Sequence, residues 1–115
     1  MRRKPTSYLH DMLDRCRFLM EFTRSESITR YHHDRAFRSA IERELSTIGE
    51  ALIQLDAIEP TLASSFTEYE RIIGFRHVLI QRYFDLDAEL VWLVLKEKLP
   101  ILLRELEAAL RALSK

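Results

Sequence analysis

The chain has 115 residues, 47% of them hydrophobic, and its 18 basic and 18 acidic residues give no net charge at pH 7. This length predicts a single domain over residues 1–115, and the apolar content excludes a disordered chain. The balanced charge excludes a general attraction to nucleic acid, so any RNA contact requires a local basic cluster.

Targeting signals are not evident in the sequence. No apolar run approaches the roughly 18 residues that a membrane span needs. The basic residues at positions 2–4 are not followed by an apolar stretch, so the N-terminus does not resemble a signal peptide. The single Cys16 is typical of a reducing compartment. The sequence therefore predicts a cytoplasmic protein that does not interact with membranes.

The first half of the chain predicts two long helices. Apolar residues recur at helical spacing, and two glycines and three prolines supply few turns for strands. The first helix is expected over about residues 6–24 and the second over about residues 34–58. Between them, Tyr31, His32 and His33 predict a solvated loop. Adjacent histidines also occur in metal sites, but no further ligand follows at a suitable spacing.

The second half predicts two more long helices. Pro60 and the threonine and serines after it interrupt the pattern, with at most a short extra turn near residues 61–66. A third helix is expected over about residues 67–83 and a fourth over about residues 88–113. Asp85 and Asp87 are candidates for capping the fourth helix, and Pro100 predicts a kink inside it. The predicted fold is an all-α, up-and-down four-helix bundle.

The third predicted helix carries a polar band in addition to an apolar stripe. At about 100° per residue, position 81 lies about 140° around the helix from Arg76, and His77 lies on the same side one turn before position 81. The simplest interpretation is a bundle helix with one solvated face. The band consists of Arg76, His77, Gln81, Arg82 and Tyr83.

Two segments resemble a known family. The run "GFRHVLIQRYFDLDAELVW", from Gly74 to Trp92, matches almost continuously the pattern of the HepT-like branch of the HEPN superfamily. Upstream, "RELSTIGEA", from Arg43 to Ala51, matches a second pattern of that branch. The resemblance covers about residues 6–113 in order and without large gaps. It is therefore far more specific than an arginine and a histidine that lie near each other.

The resemblance implies a toxin of a type VII-like toxin–antitoxin system, a metal-independent RNA endonuclease that acts as a homodimer without a cofactor. Arg76 corresponds to the motif arginine, His77 to the polar residue after it, and Tyr83 to the motif tyrosine. Arginine suits this role because its guanidinium can hold the charge of a phosphorane with two hydrogen bonds. Arg82 is expected to add attraction for RNA phosphates, with tRNA and mRNA as candidate substrates.

The departure from the family is Gln81, which occupies the position of the motif histidine. An amide has no group that titrates near neutral pH, and loss of general acid–base catalysis typically lowers the rate by about 10²–10⁴. His77 lies about 6 Å away at Cβ, whereas misplacement by about 1 Å can already cost 10²-fold. We therefore expect an inactive or severely weakened enzyme. Gln81 is either natural or a substitution that removed toxicity.

The family also implies a partner, a minimal nucleotidyltransferase antitoxin. In some pairs this partner transfers AMP to the motif tyrosine, so Tyr83 is the expected acceptor. An acidic residue on the second helix, Glu44 or Glu50, is expected to orient Arg76. The alternative function is a non-catalytic HEPN subunit that binds a nucleotidyltransferase and positions its nucleotide or substrate. A native histidine at position 81 would favour the toxin, and a native glutamine the binding subunit.

Overall fold

The computed structural model describes residues 3–82 and 84–114, which form helices and contain no strand. This confirms the all-α bundle. Of the described residues, none lies in a helix long and apolar enough to cross a membrane. The elements are α1 (Pro5–Phe22), α2 (Ile28–His33), α3 (Arg35–Ile58), α4 (Pro60–Ser64), α5 (Tyr69–Gln81), α6 (Ala88–Leu93), a π-helical segment (Val94–Lys98) and α7 (Leu99–Leu113).

The core forms where the apolar stripes of the long helices meet. Helix α1 packs against α3 on one side and α7 on the other, and α5 packs against the outer side of α3. Each stripe recurs every three or four residues, which places its side chains on one face of the helix. The residues whose side chains are fully buried include Leu9, Met12 and Leu19 of α1, Ile41, Leu52 and Leu55 of α3, and Leu102 and Leu106 of α7.

The segment between α1 and α3 differs from the prediction. Residues 28–33 form the short helix α2 instead of a solvated loop, and Tyr31 is buried. Its ring packs near Trp92, with ring centroids 6.3 Å apart, and its hydroxyl donates a hydrogen bond to Glu42. Only His32 and His33 are exposed as expected. Within the described ranges, no cluster of three or more metal-ligating side chains occurs.

The fourth predicted helix begins and ends at the expected residues, but it is not regular. Asp87 caps it by accepting hydrogen bonds from the backbone N–H groups of residues 89 and 90. The π-helical segment interrupts it directly before Pro100, where the N–H of Leu99 bonds to the carbonyl of Val94. Pro100 itself lies in the first turn of α7, where a missing N–H costs little. Kinks in long helices usually occur at prolines or at π-helical segments.

Candidate functional site

Helix α5 approaches α3 closely because α3 has a glycine at the crossing point. A Cβ atom added to Gly49 would overlap the Cβ of Arg76 and lie 2.8 Å from its Cγ. Carbon atoms do not approach this closely, so only glycine allows the stem of Arg76 to lie on the backbone of α3. The glycine of the upstream motif and the arginine of the downstream motif are therefore in direct contact.

The guanidinium of Arg76 is held by a carboxylate on α3. Its Nη2 lies 2.6 Å from Oε2 of Glu50, and Gln54 donates a hydrogen bond of 3.0 Å to the other oxygen, Oε1. Both carboxylate oxygens are thus engaged, which fixes the acceptor that orients Arg76. Of the two acidic candidates, Glu50 is the one beside Arg76, whereas Glu44 binds Arg15 of α1 at 2.8 Å.

One donor of Arg76 is not used in this arrangement. Its Nε is buried and makes no hydrogen bond within the described part of the chain. The side chain as a whole remains 29% exposed, and that of Glu50 is 41% exposed. The pair therefore lies at the edge of the α3–α5 interface, where an incoming anion can reach the guanidinium.

The other predicted site residues lie along α5 and just after it. His77 and Gln81 are both exposed, and neither side chain forms a hydrogen bond or ion pair with another described residue. Arg82 caps the end of α5, and its Nη2 lies 2.8 Å from Oδ2 of Asp85. This hydrogen bond from the guanidinium lowers the pKa of the Asp85 carboxyl. Tyr83, the predicted AMP acceptor, lies outside the described residues.

The face of α5 that points away from α3 is open. Among the described residues, no Cα of α5 comes within 8 Å of a Cα in α6, the π-helical segment or α7. Ile80 on this helix is 49% exposed, although isoleucine is usually buried. The motif helix thus combines an anchored arginine, exposed polar side chains and an exposed apolar residue.

Comparison with known proteins identifies the family. Residues 12–109 match the family described as ribonuclease HepT-like. The chain belongs to the HepT-like ribonuclease family. This confirms the resemblance inferred from the two motifs, and the matched range of this HepT-like chain includes the anchored Arg76.

Individual relatives agree with this assignment. The HepT-like chain is 28% identical to a putative RNase of Methanocaldococcus jannaschii over 92% of its own length and 96% of that protein. It is 29% identical to a putative RNase of Caldanaerobacter subterraneus over 93% and 95%. A probable ribonuclease HepT of Thermococcus cleftensis is 28% identical over 89% and 92%. No solved structure gives a significant match.

Two residues of this arrangement were not predicted from the sequence. Gly49 enters the sequence prediction only as part of a motif, although a glycine inside a long helix is itself a sign of close backbone approach. Gln54 is not among the predicted site residues, although it follows Glu50 by four positions and therefore lies on the same face of α3. Both signals are local and were present in the sequence.

Proposed function

We propose that this HepT-like chain is the RNA-binding toxin subunit of a toxin–antitoxin pair, with its RNA cleavage impaired at Gln81. The observation that carries this proposal is the Arg76 guanidinium, anchored by Glu50 at 2.6 Å and still 29% exposed. A positioned, accessible arginine suits recognition of a phosphate group. Membership of a ribonuclease family supports RNA as the source of that phosphate.

The RNA cleavage reaction that we propose for this family needs no metal ion. The ribose 2′-OH attacks the adjacent phosphorus, the 5′-oxygen of the next nucleotide leaves, and one proton is transferred at each oxygen. Arg76 supplies the electrostatic part, because its N–H groups stabilise the charge that develops on the phosphorane. Gln81 can donate or accept a hydrogen bond, but it cannot take the hydroxyl proton. Binding is therefore retained while proton transfer is lost.

The Gln81→His substitution tests this proposal. We expect it to raise RNA cleavage at neutral pH by at least about 10²-fold in the presence of a chelator, because it restores a general base. Cleavage should disappear again when Arg76→Ala is added, and Gln81→Asn should stay inactive as a matched control. Comparable cleavage by the unaltered chain would show that histidine at position 81 is not needed, and His77→Ala would then test the neighbouring imidazole.

A third outcome would favour the other function. If the Gln81→His protein remains inactive but the chain binds a nucleotidyltransferase with high affinity, it is a non-catalytic subunit and not a disarmed enzyme.

We further propose that the protein is a homodimer whose two copies of Arg76 lie near one shared cleft. The open face of α5 and the 49% exposure of Ile80 support this proposal. Sedimentation equilibrium should show a dimer that Ile80→Glu weakens. Leu113→Glu is the matched control, because Leu113 is 50% exposed and lies on α7 instead of α5. Equal effects of the two substitutions, or a monomer throughout, would refute this interface.

The regulatory part of the proposal concerns Tyr83. We propose that a partner nucleotidyltransferase, supplied with ATP and Mg²⁺, transfers AMP to its phenol oxygen and releases pyrophosphate. The added negative charge, on the residue that follows Arg82 in the sequence, would repel RNA. Mass spectrometry should map AMP to Tyr83 and find none in Tyr83→Phe. AMP on Tyr69, or no added mass, would mean that the partner does not act through the motif tyrosine.

A further inference from the structure

A concave site lies beyond the C-terminal end of α5. A pocket of about 460 Å³ opens between α2, the first turns of α3 and residues 84–88. This volume is within the usual range for small-molecule and nucleotide sites. Asp85 forms part of its wall and is the residue that Arg82 binds at 2.8 Å. The pocket therefore begins just after the C-terminal end of α5.

The polar groups of the pocket are fixed by hydrogen bonds within the chain. Arg38 donates through Nη1 to the backbone carbonyls of Tyr31 and His32, both at 3.1 Å. Glu42 accepts a hydrogen bond from the buried hydroxyl of Tyr31. Burial and this hydrogen bond raise the pKa of Tyr31, so its hydroxyl remains a donor and keeps Glu42 in place. A cationic donor and an anionic acceptor thus line one pocket in fixed positions.

The charges in the pocket favour a neutral ligand over a phosphate. The Glu42 carboxylate balances Arg38, and the Asp85 carboxylate already carries Arg82 as its partner. These balanced charges leave no excess positive charge to attract a phosphate, whereas an uncharged ring with both donors and acceptors can use groups of both signs. Phe84 lies at the edge of the pocket with 77% of its surface exposed, which suits stacking on a flat ring.

We propose that this pocket binds a guanine base of the same single-stranded RNA whose phosphate is held at Arg76. Guanine presents N1–H and N2–H donors for a carboxylate and O6 and N7 acceptors for a guanidinium. As donors to a carboxylate, adenine and cytosine offer only an amino group and uracil only a single N–H. Carboxylate–N–H and arginine–guanine pairings are common in base recognition, and single-stranded RNA exposes these edges. This inference depends on the proposed function in one respect, namely that the chain binds RNA.

The test uses the unaltered chain, in which Gln81 is expected to slow cleavage during the measurement. Four labelled oligouridylates of equal length carry G, A, C or U at one central position, and fluorescence anisotropy gives their dissociation constants. We expect the RNA containing guanine to bind at least about tenfold more tightly than the other three, as one base-specific pairing would give.

Two substitutions in the pocket and one outside it test whether the guanine preference arises from the pocket. Glu42→Gln still accepts the Tyr31 hydrogen bond but loses the carboxylate, and Phe84→Ala removes an exposed ring, so both should fold. Each should reduce the guanine preference to less than about threefold. Glu21→Gln removes the same charge outside the pocket and should leave the preference unchanged. Melting followed by circular dichroism checks that all variants are folded.

The outcomes separate this inference from the proposed function. Equal binding of all four RNAs, or a guanine preference that persists in Glu42→Gln, overturns the guanine pocket and leaves RNA binding intact. Failure to bind any RNA overturns the proposed function. In that case, a titration of GMP into labelled protein tests, independently of RNA, whether the pocket binds guanine. Chemical-shift changes confined to the pocket residues would support it as a guanine-nucleotide site, and their absence would refute it.

Discussion

Gly49 and Gly74, the two glycines of the chain, form a natural matched pair. Both lie inside helices, where alanine is more favourable than glycine by about 0.5–1 kcal/mol. A Cβ atom at Gly74 would have nothing within 4 Å. Gly74→Ala should therefore raise the free energy of unfolding by about this amount, through helix propensity alone.

Gly49→Ala should behave differently although the chemical change is the same. Its methyl group would overlap the Cβ of Arg76 and lie 2.8 Å from the Cγ. The Cβ is fixed to the backbone, so a change of rotamer cannot move it, and α5 must shift away from α3. Overpacking of this kind costs about 1–3 kcal/mol. Because the propensity gain is common to both variants, Gly49→Ala should be less stable than Gly74→Ala by this amount.

Urea unfolding, followed by circular dichroism at one protein concentration, measures the difference. The fixed concentration matters because unfolding of a dimer depends on it. Variants with equal slopes can be compared directly through their midpoints. If Gly49→Ala is stabilised as much as Gly74→Ala, then α5 does not contact α3 at this position, and the anchoring of Arg76 is wrong as well.

Two further predictions concern Glu50 and Cys16. In the Gln81→His protein, Glu50→Gln should lower RNA cleavage by about tenfold, because the motif arginine loses its charged partner, whereas Glu44→Gln should have little effect. The Cys16 thiol is fully buried, and burial raises its pKa to about 12. Mass spectrometry should therefore find Cys16 alkylated by iodoacetamide at pH 8 only when urea has unfolded the protein. The free energy of unfolding should also fall between about pH 9 and pH 12, because the thiol of the unfolded chain, with its ordinary pKa near 8.5, ionises before the buried thiol does. Cys16→Ala should remove this contribution to the pH dependence of stability.

The long helices could be predicted because each carries a complete apolar stripe over several turns. The predicted and observed limits of the fourth helix agree at Ala88 and Leu113. Helix α2 could not be predicted in this way, because six residues with one buried side chain contain no periodic pattern. Tyr31 contacts Glu42 on the next helix and Trp92, which is far away in the sequence. Tertiary contacts decided its conformation.

The site was predictable only within one helix. Helical spacing predicts how residues 76, 77 and 81 are arranged around one helix, but it does not predict whether Glu44 or Glu50 binds Arg76. Six positions apart, they point in directions about 120° different around α3. One therefore faces Arg15 on α1 and the other faces Arg76 on α5. Which helix covers which face depends on packing, and so does the pocket, which joins segments more than forty residues apart.

The ion pairs of Arg76 with Glu50 and of Arg82 with Asp85 bear on how RNA binding would depend on salt concentration. Nucleic-acid binding normally gains free energy as mobile counterions leave the phosphates, and affinity then falls steeply with added salt. If the chain binds RNA as proposed, each guanidinium would exchange a carboxylate of the chain itself, which cannot diffuse away, for a phosphate. Long-range attraction would then be small, and a polyanion of the wrong shape would gain little from its charge.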